Sequence, residues 1–133
     1  MKLYVEEPGV RIVTDRVTVA SGISTCRIAY AEARAAFGRL ERLRRLTRAE
    51  LSAAVVELDG DWSRYHVVDV VESIVRRAGH LAERYALRGD DAVHLSSALA
   101  LRDAGVDLEM TSFDRDLARA ANREGLLVTA VRA

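Results

Sequence analysis

Segments with helical hydrophobic periodicity alternate along this chain with short β-branched segments, and this alternation limits the available folds more than any other feature. The predicted strands are 17–21, 66–70, 108–113 and 126–131. The predicted helices are a short opening segment that ends near residue 8, followed by 10–15, 26–45, 48–62, 72–86, 89–105 and 115–124. Strands separated by helices pair in parallel through right-handed crossovers. We therefore expect a three-layer α/β/α domain with a parallel sheet, in which 26–45 and 48–62 form an α-hairpin.

The length and composition are those of one packed globular domain. The chain has 133 residues, of which 50% are hydrophobic and 30% are charged, so it can bury a core without metals or disulfides. We expect a single domain over residues 1–133. The 20 basic residues balance the 20 acidic ones, so no net charge draws the whole protein to nucleic acid or to an anionic membrane.

The cysteine content and the first residues bear on where the protein resides. Cys26 is the only cysteine, so no internal disulfide can form. The acidic start of the chain lacks the basic and apolar regions of a signal peptide. No apolar run approaches the roughly 18 residues of a membrane span. We therefore expect a cytoplasmic protein that does not bind membranes.

Several common catalytic motifs are absent from the sequence. It contains neither a P-loop pattern nor a Gly-rich dinucleotide fingerprint, which excludes both kinds of nucleotide site at the level of motif. Its three histidines and one cysteine are too scattered for a zinc finger. Carboxylates are therefore better candidates for chemistry than nitrogen or sulfur ligands.

Three acidic residues occupy positions that suggest a function. Glu32 has Ile28 one turn before it and two alanines, Ala35 and Ala36, one turn after it, which places its carboxylate on the apolar side of its helix. Asp91 stands in the first turn of a predicted helix, where the positive helix end favours an anion. Asp114 directly follows a predicted strand, and ligands of parallel α/β sheets bind beyond the carboxyl ends of strands. Together these acids would suit Mg²⁺ or Mn²⁺.

Each acid also has a purely structural explanation. Asp114 could be only the N-cap of the helix that follows it. Asp91 could interact only with the helix dipole, with the preceding aspartate capping the helix. Glu32 could pair with an arginine such as Arg64 or Arg84.

Four strings, in order along the chain, resemble those of PIN-domain proteins of the VapC toxin type. They are Leu-Tyr-Val-Glu-Glu-Pro-Gly from residue 3, Ile-Ala-Tyr-Ala-Glu-Ala-Arg from 28, Asp-Ala-Val-His-Leu from 91 and Thr-Ser-Phe-Asp from 111. The resemblance implies a PIN-like fold and a Mg²⁺- or Mn²⁺-dependent ribonuclease, usually a homodimer, encoded beside a small antitoxin that blocks its acidic site. By the same resemblance, Glu32, Asp91 and Asp114 match metal-site acids, and Thr111 or Ser112 matches a nearby hydroxyl.

The chain departs from this family pattern at its start. In similar proteins the Leu-Tyr-Val-Glu-Glu segment follows a strand and an Asp-x-Ser-Ala-Leu-Val-type turn, which supply the first central strand and the first metal-site aspartate. This chain begins after them, through either a start assigned too far downstream or a real truncation. The strands at 17–21 and 108–113 should then lie about 10 Å apart, rather than the roughly 4.8 Å of direct neighbours. Metal binding and activity should be weak.

Basic residues should flank an acidic site that receives RNA. The candidates are arginines of the long predicted helix and its turn, and they include Arg34, Arg39 and Arg42. The alternative is an ordinary solvated face, because acidic residues are interspersed and arginine is the chain's usual cation.

The leading prediction is a metal-dependent RNA endonuclease toxin, in which the carboxylates hold one or two ions that activate water. Thr111 or Ser112 would orient a water molecule or the phosphate. The alternative is a catalytically inactive PIN-like protein that keeps a surface for an antitoxin or another partner. A third possibility, a small regulatory or scaffold protein whose acids are ordinary caps, predicts that the three carboxylates lie far apart.

Overall fold

The computed structural model describes residues 22–112 and 114–130. Its helices are α1 (Ala29–Arg42), α2 (Arg48–Trp62), α3 (Glu72–Tyr85), α4 (Gly89–Asp103) and α5 (Arg115–Arg123). Its strands are β1 (Ser24–Cys26), β2 (His66–Val68), β3 (Glu109–Ser112) and β4 (Leu127–Ala130). The described residues divide into two compact units, with the boundary between Val67 and Val68. The α/β class is confirmed, and a single domain over residues 1–133 stays a prediction.

The first unit contains the predicted α-hairpin of α1 and α2. The hydroxyl of Thr47 accepts a hydrogen bond from the Glu50 N–H, and the Glu50 carboxylate accepts one from the Thr47 N–H. This capping box starts α2 at the predicted residue, because it satisfies two amides that would otherwise lack partners. One face of each helix forms the core, whose buried members are Ala33, Phe37, Leu51, Ala54 and Leu58. β1 and β2 lie side by side in a two-stranded sheet.

The second unit packs three helices with a second two-stranded sheet. β3 and β4 pair in parallel, with Glu109 opposite Leu127 and Ser112 opposite Ala130. This confirms the parallel pairing predicted for strands that a helix separates. α3 packs against α4, while α5 packs against α4 and both strands. The buried core consists of Ala78, Leu81, Ala92, Leu95, Leu99, Leu117, Ala120, Ala121 and Leu126.

Ser24 or Thr25 could be expected from the sequence to cap the helix predicted over 26–45, but neither residue caps α1. α1 follows Ile28, which has helical backbone angles (φ −68°, ψ −18°) and makes no side-chain capping bond. Ser24–Cys26 is instead the strand β1 beside β2. Such a short segment becomes a strand because a partner strand is available, and its own sequence carries little signal.

The remaining described elements lie within a few residues of their predicted bounds. The helix predicted over 72–86 ends at Tyr85, because Ala86 takes left-handed backbone angles (φ 52°, ψ 42°). The helix predicted over 89–105 ends at Asp103, and Gly105 then adopts a φ of 89°, which glycine tolerates without strain.

Some predictions fall outside the described residues. They are the opening helical segments and the strand at 17–21, together with the distance from that strand to β3. Among residues 22–112 and 114–130, no helix is long and apolar enough to span a bilayer.

Candidate active site

Asp114 lies between the end of β3 and the start of α5. Its Oδ1 accepts a hydrogen bond from the Leu117 N–H at 2.9 Å, which makes Asp114 the N-cap of α5. Its own N–H donates to the Oγ of Ser112 at 3.0 Å. The capping role considered from the sequence is therefore confirmed. It uses only one carboxylate oxygen, because Oδ2 of Asp114 accepts no hydrogen bond from the part of the chain that the structure describes.

Asp91 lies half-buried in the first turn of α4. Burial raises the pKa of its carboxyl, and the negative charges of Asp90 and Asp114 raise it further. The charges of Arg88 and His94 act in the opposite direction without cancelling the rise. The folded protein thus holds this carboxylate where ionisation is costly, which is typical of residues at functional sites.

Asp90 does not cap α4, so that part of the structural explanation is wrong. The N-cap is Arg88, which makes no side-chain capping bond. The Asp90 carboxylate pairs with the Arg88 guanidinium at 3.2 Å. Within the described residues Asp91 itself forms no ion pair. The end of the helix and the neighbouring charged residues therefore determine how well its negative charge is stabilised.

Asp91 and Asp114 form an acidic pair at the N-terminal ends of α4 and α5. The positive end of each helix favours a carboxylate, but two neighbouring carboxylates repel unless a proton or a cation intervenes. Their oxygens are ligands that Mg²⁺ and Mn²⁺ prefer. Over residues 68–112 and 114–130, no third His, Cys, Asp or Glu completes a three-ligand metal cluster. The donor chemistry of the pair fits a divalent ion, and further ligands would have to come from outside it.

The two hydroxyl residues of the motif differ in their surroundings. Ser112 is 7% exposed, and its Oγ bonds the backbone of Asp114. Thr111 is exposed and lies opposite Thr129 in the sheet. Ser112 is therefore tied to the position of Asp114, whereas the Thr111 side chain lies at the surface.

Glu32 lies in the first turn of α1, in the first unit, and is half-buried. The buried face of α1 is formed by Ala33 and Phe37, while Ala35 is exposed. The expectation that Ala35 belongs to the apolar face is therefore wrong, and Glu32 lies at the margin of the core rather than over it. Helical residues 33 and 37 share one face, which excludes residue 35 from it. That Glu32 joins the acidic pair stays a prediction.

The arginines suggested as alternative partners of Glu32 have other neighbours. Arg64 pairs with Asp61 in the first unit. Arg84 pairs with Glu124 at 3.7 Å in the second.

The arginines predicted to contact RNA are all exposed on α1. Arg34 donates to the Tyr30 hydroxyl oxygen at 2.9 Å, and its guanidinium carbon lies 5.8 Å from the centre of that ring. Arg39 and Arg42 lie in the last turn, where positive charge complements the helix dipole. Arg34 is thus held by a structural contact, and a role for the three in RNA binding stays a prediction.

Sequence reasoning passed over Arg88. Its guanidinium binds Asp90, and its positive charge lowers the pKa of Asp91. The available signal was an arginine placed two residues before an acidic pair at a helix start. Such spacing lets the guanidinium reach the carboxylates of the first helical turn.

Comparison with known proteins shows which family the sequence matches. The PIN domain family matches residues 1–123. Among curated proteins, "Ribonuclease VapC45" of Mycobacterium tuberculosis (strain CDC 1551 / Oshkosh) is 36% identical over 128 residues, which cover 96% of this chain and 88% of that protein. "Ribonuclease VapC49" of Mycobacterium tuberculosis (strain ATCC 25618 / H37Rv) matches with the same identity and the same coverage.

Proposed function

This chain belongs to the PIN-domain family, and from that premise we propose that it is a metal-dependent RNA endonuclease, the toxin of a type II toxin–antitoxin pair. The observation that carries the proposal is the acidic pair, in which the charge of Asp114 raises the pKa of Asp91. Both relatives are named ribonucleases and share 36% identity over nearly the whole chain. RNA is accordingly the proposed substrate.

A divalent ion, Mg²⁺ or Mn²⁺, is the proposed cofactor. Asp91 and Asp114 would hold it, directly or through water, with Glu32 as a third carboxylate. The bound ion would supply an activated water and offset charge on the leaving oxygen of the phosphodiester. The carboxylate chemistry of the pair supports this assignment, because a cation would offset the repulsion between two adjacent carboxylates at helix starts.

The chain's own residues would prepare the site before substrate binds. The Leu117 amide and the Ser112 hydroxyl hold Asp114, so its second carboxylate oxygen is oriented without further loss of side-chain entropy. Ser112 is therefore a positioning residue. The exposed hydroxyl of Thr111 is the one proposed to orient a water molecule or the phosphate.

Further proposals follow from the family alone. The protein would act in the cytoplasm as a homodimer, and a small antitoxin would cover its acidic site. Residues 1–133 would form a single PIN-like domain.

A catalytically inactive PIN-like protein that binds an antitoxin or another partner is the second candidate. It is favoured by the absence of a three-ligand cluster within residues 68–112 and 114–130. In that case the acidic pair would bind ions too weakly for cleavage.

Metal-dependent RNA cleavage by matched variants tests the proposal. Single-stranded RNA is incubated with the protein and Mg²⁺ or Mn²⁺, and with EDTA as the metal-free control. Asp91→Asn and Asp114→Asn should each lower the cleavage rate by more than about 100-fold, because losing even an outer-shell partner of a metal costs about 10–100-fold. Asp107→Asn, an exposed residue before β3, should cleave like the wild type. Cleavage that survives either site variant contradicts the proposal, and RNA binding without any cleavage favours the inactive alternative.

A further inference from the structure

A cleft with a volume of about 250 Å³ lies between the C-terminal end of α3 and the side of α5. Three arginines line it: Arg84 comes from α3, and Arg119 and Arg123 come from α5. Among the described residues that line it, Asp116 is the only acidic one. The cleft is therefore a local basic site in a chain with no net charge.

Much of this positive charge is available to a ligand. Arg119 pairs with Asp116 at 3.5 Å, but their side chains are 65% and 70% exposed. Arg84 lies 3.7 Å from Glu124 and is 71% exposed. Ion pairs this exposed are weak and exchange readily with other partners. Arg123 is exposed and forms no ion pair with any residue that the structure describes.

Each of the two helices that line the cleft is close along the chain to one residue of the acidic pair. Asp114 caps α5, and with a rise of about 1.5 Å per residue Arg119 and Arg123 lie about 7 and 13 Å further along the axis. Positions 116, 119 and 123 share one face of the helix. On the other wall, α3 ends at Tyr85, and only a short connection separates it from the start of α4, where Asp91 lies. An extended polyanion held at the acidic pair would pass these arginines.

We propose that the cleft lined by Arg84, Arg119 and Arg123 binds backbone phosphates of the RNA strand next to the scissile one. The proposal rests on the proposed nuclease function and assigns the substrate contacts to the second unit instead of the arginines of α1. Guanidinium groups bind phosphate oxygens through paired hydrogen bonds. A row of cations beside the acidic pair would also offset the repulsion between RNA and the two carboxylates.

The test measures RNA affinity without cleavage. A short fluorescein-labelled single-stranded RNA is titrated with the full chain in EDTA at several salt concentrations. The double variant Arg119→Gln/Arg123→Gln is compared with wild type and with Arg76→Gln. Arg76 is a matched control, because it is an exposed arginine of α3 that pairs with Glu72 and does not line the cleft. Far-UV circular dichroism and thermal unfolding check that each variant is folded.

Two lost phosphate contacts should reduce the slope of log affinity against log salt by about 1.4 in magnitude, or about 0.7 for each contact on a single strand. The double variant should therefore bind RNA several-fold more weakly at low salt, and Arg76→Gln should match wild type. Wild-type affinity and slope in the double variant would overturn the cleft assignment and leave the nuclease proposal standing. In a parallel titration with fluorescein-labelled poly-glutamate, a double variant that loses poly-glutamate binding and keeps full RNA binding would also overturn the assignment and indicate an acidic protein as the ligand. Failure of the wild-type protein to bind RNA at all would overturn the cleft assignment, because the arginines should hold RNA without a metal ion, and the cleavage assay would still test the nuclease proposal.

Discussion

The carboxylate of Asp114 lies close enough to Asp91 for its charge to raise the pKa of the Asp91 carboxyl. The two residues belong to different helices, and they meet because α5 packs against α4. The helix ends offset part of the repulsion between them. The remaining repulsion can be relieved by a proton, by a cation or by removing one charge, and each route gives a measurable effect.

Removing the Asp91 charge should stabilise the protein at neutral pH. The pKa of Asp91 is raised in the folded state above its ordinary value of 3.8, so the folded protein binds this proton more tightly than the unfolded chain does. Stability is therefore lost as the pH rises through the folded pKa. Asp91→Asn avoids that loss, and its free energy of unfolding should exceed that of wild type at neutral pH. The gain should disappear below pH 3.8.

Urea unfolding over a series of pH values measures this difference, with Asp107→Asn as the control for a neutralised surface aspartate. A variant that is less stable than wild type at neutral pH would show that Asp91 is not destabilised by its surroundings.

Divalent ions should stabilise the wild-type protein, because they bind the acidic pair of the folded state and not the unfolded chain. An ion at 100 times its dissociation constant adds about 2.7 kcal/mol to the free energy of unfolding. The midpoint temperature of thermal unfolding should therefore be several degrees higher in Mg²⁺ or Mn²⁺ than without them. Sodium chloride at matched ionic strength should not reproduce the shift, and Asp91→Asn and Asp114→Asn should reduce it. An equal shift in the variants would locate the ion elsewhere.

Local sequence signals predicted most of the described helices and failed where a distant segment decides the structure. α2 was predictable because Thr47 and Glu50 can form a capping box within four residues. Ser24–Cys26 was missed because it is a strand only through its neighbour β2. Its three residues carry no alternation from which a strand could be read.

In the candidate site, too, the features set by local sequence were predictable and those set by packing were not. Asp114 was predictable from its place after β3, because parallel strands present ligands at their carboxyl ends. The pairing of Asp90 with Arg88 was not, because the sequence allowed Asp90 to cap α4 equally well. The approach of Asp91 to Asp114 depends on helix packing, which local patterns do not specify. The place of Glu32 in the site stays a prediction for the same reason.

Ser112→Ala should weaken metal binding more than its effect on stability explains. The substitution removes the hydroxyl that accepts from the Asp114 N–H, which should cost about 1 kcal/mol of stability and about tenfold or more in Mg²⁺ affinity. Ser96→Ala is the control, because Ser96 is also buried and its hydroxyl donates to the carbonyl of Ile74, on a different helix, at 2.8 Å. It should lose similar stability and keep the metal affinity. Equal metal affinity in both variants would make Ser112 a purely structural residue.

Two substitutions at Asp114 should separate its capping role from its proposed metal role. Asn caps helices about as well as Asp, whereas Ala costs about 1 kcal/mol as an N-cap. Asp114→Asn should therefore keep nearly wild-type stability, because its side-chain oxygen can still accept from the Leu117 N–H, and Asp114→Ala should be less stable. Both should lose metal-dependent RNA cleavage, because neither supplies a charged oxygen. Urea unfolding and RNA cleavage, measured on the same preparations, test this. If Asp114→Asn cleaves RNA normally, the carboxylate is only a helix cap and the acidic pair is not the metal site.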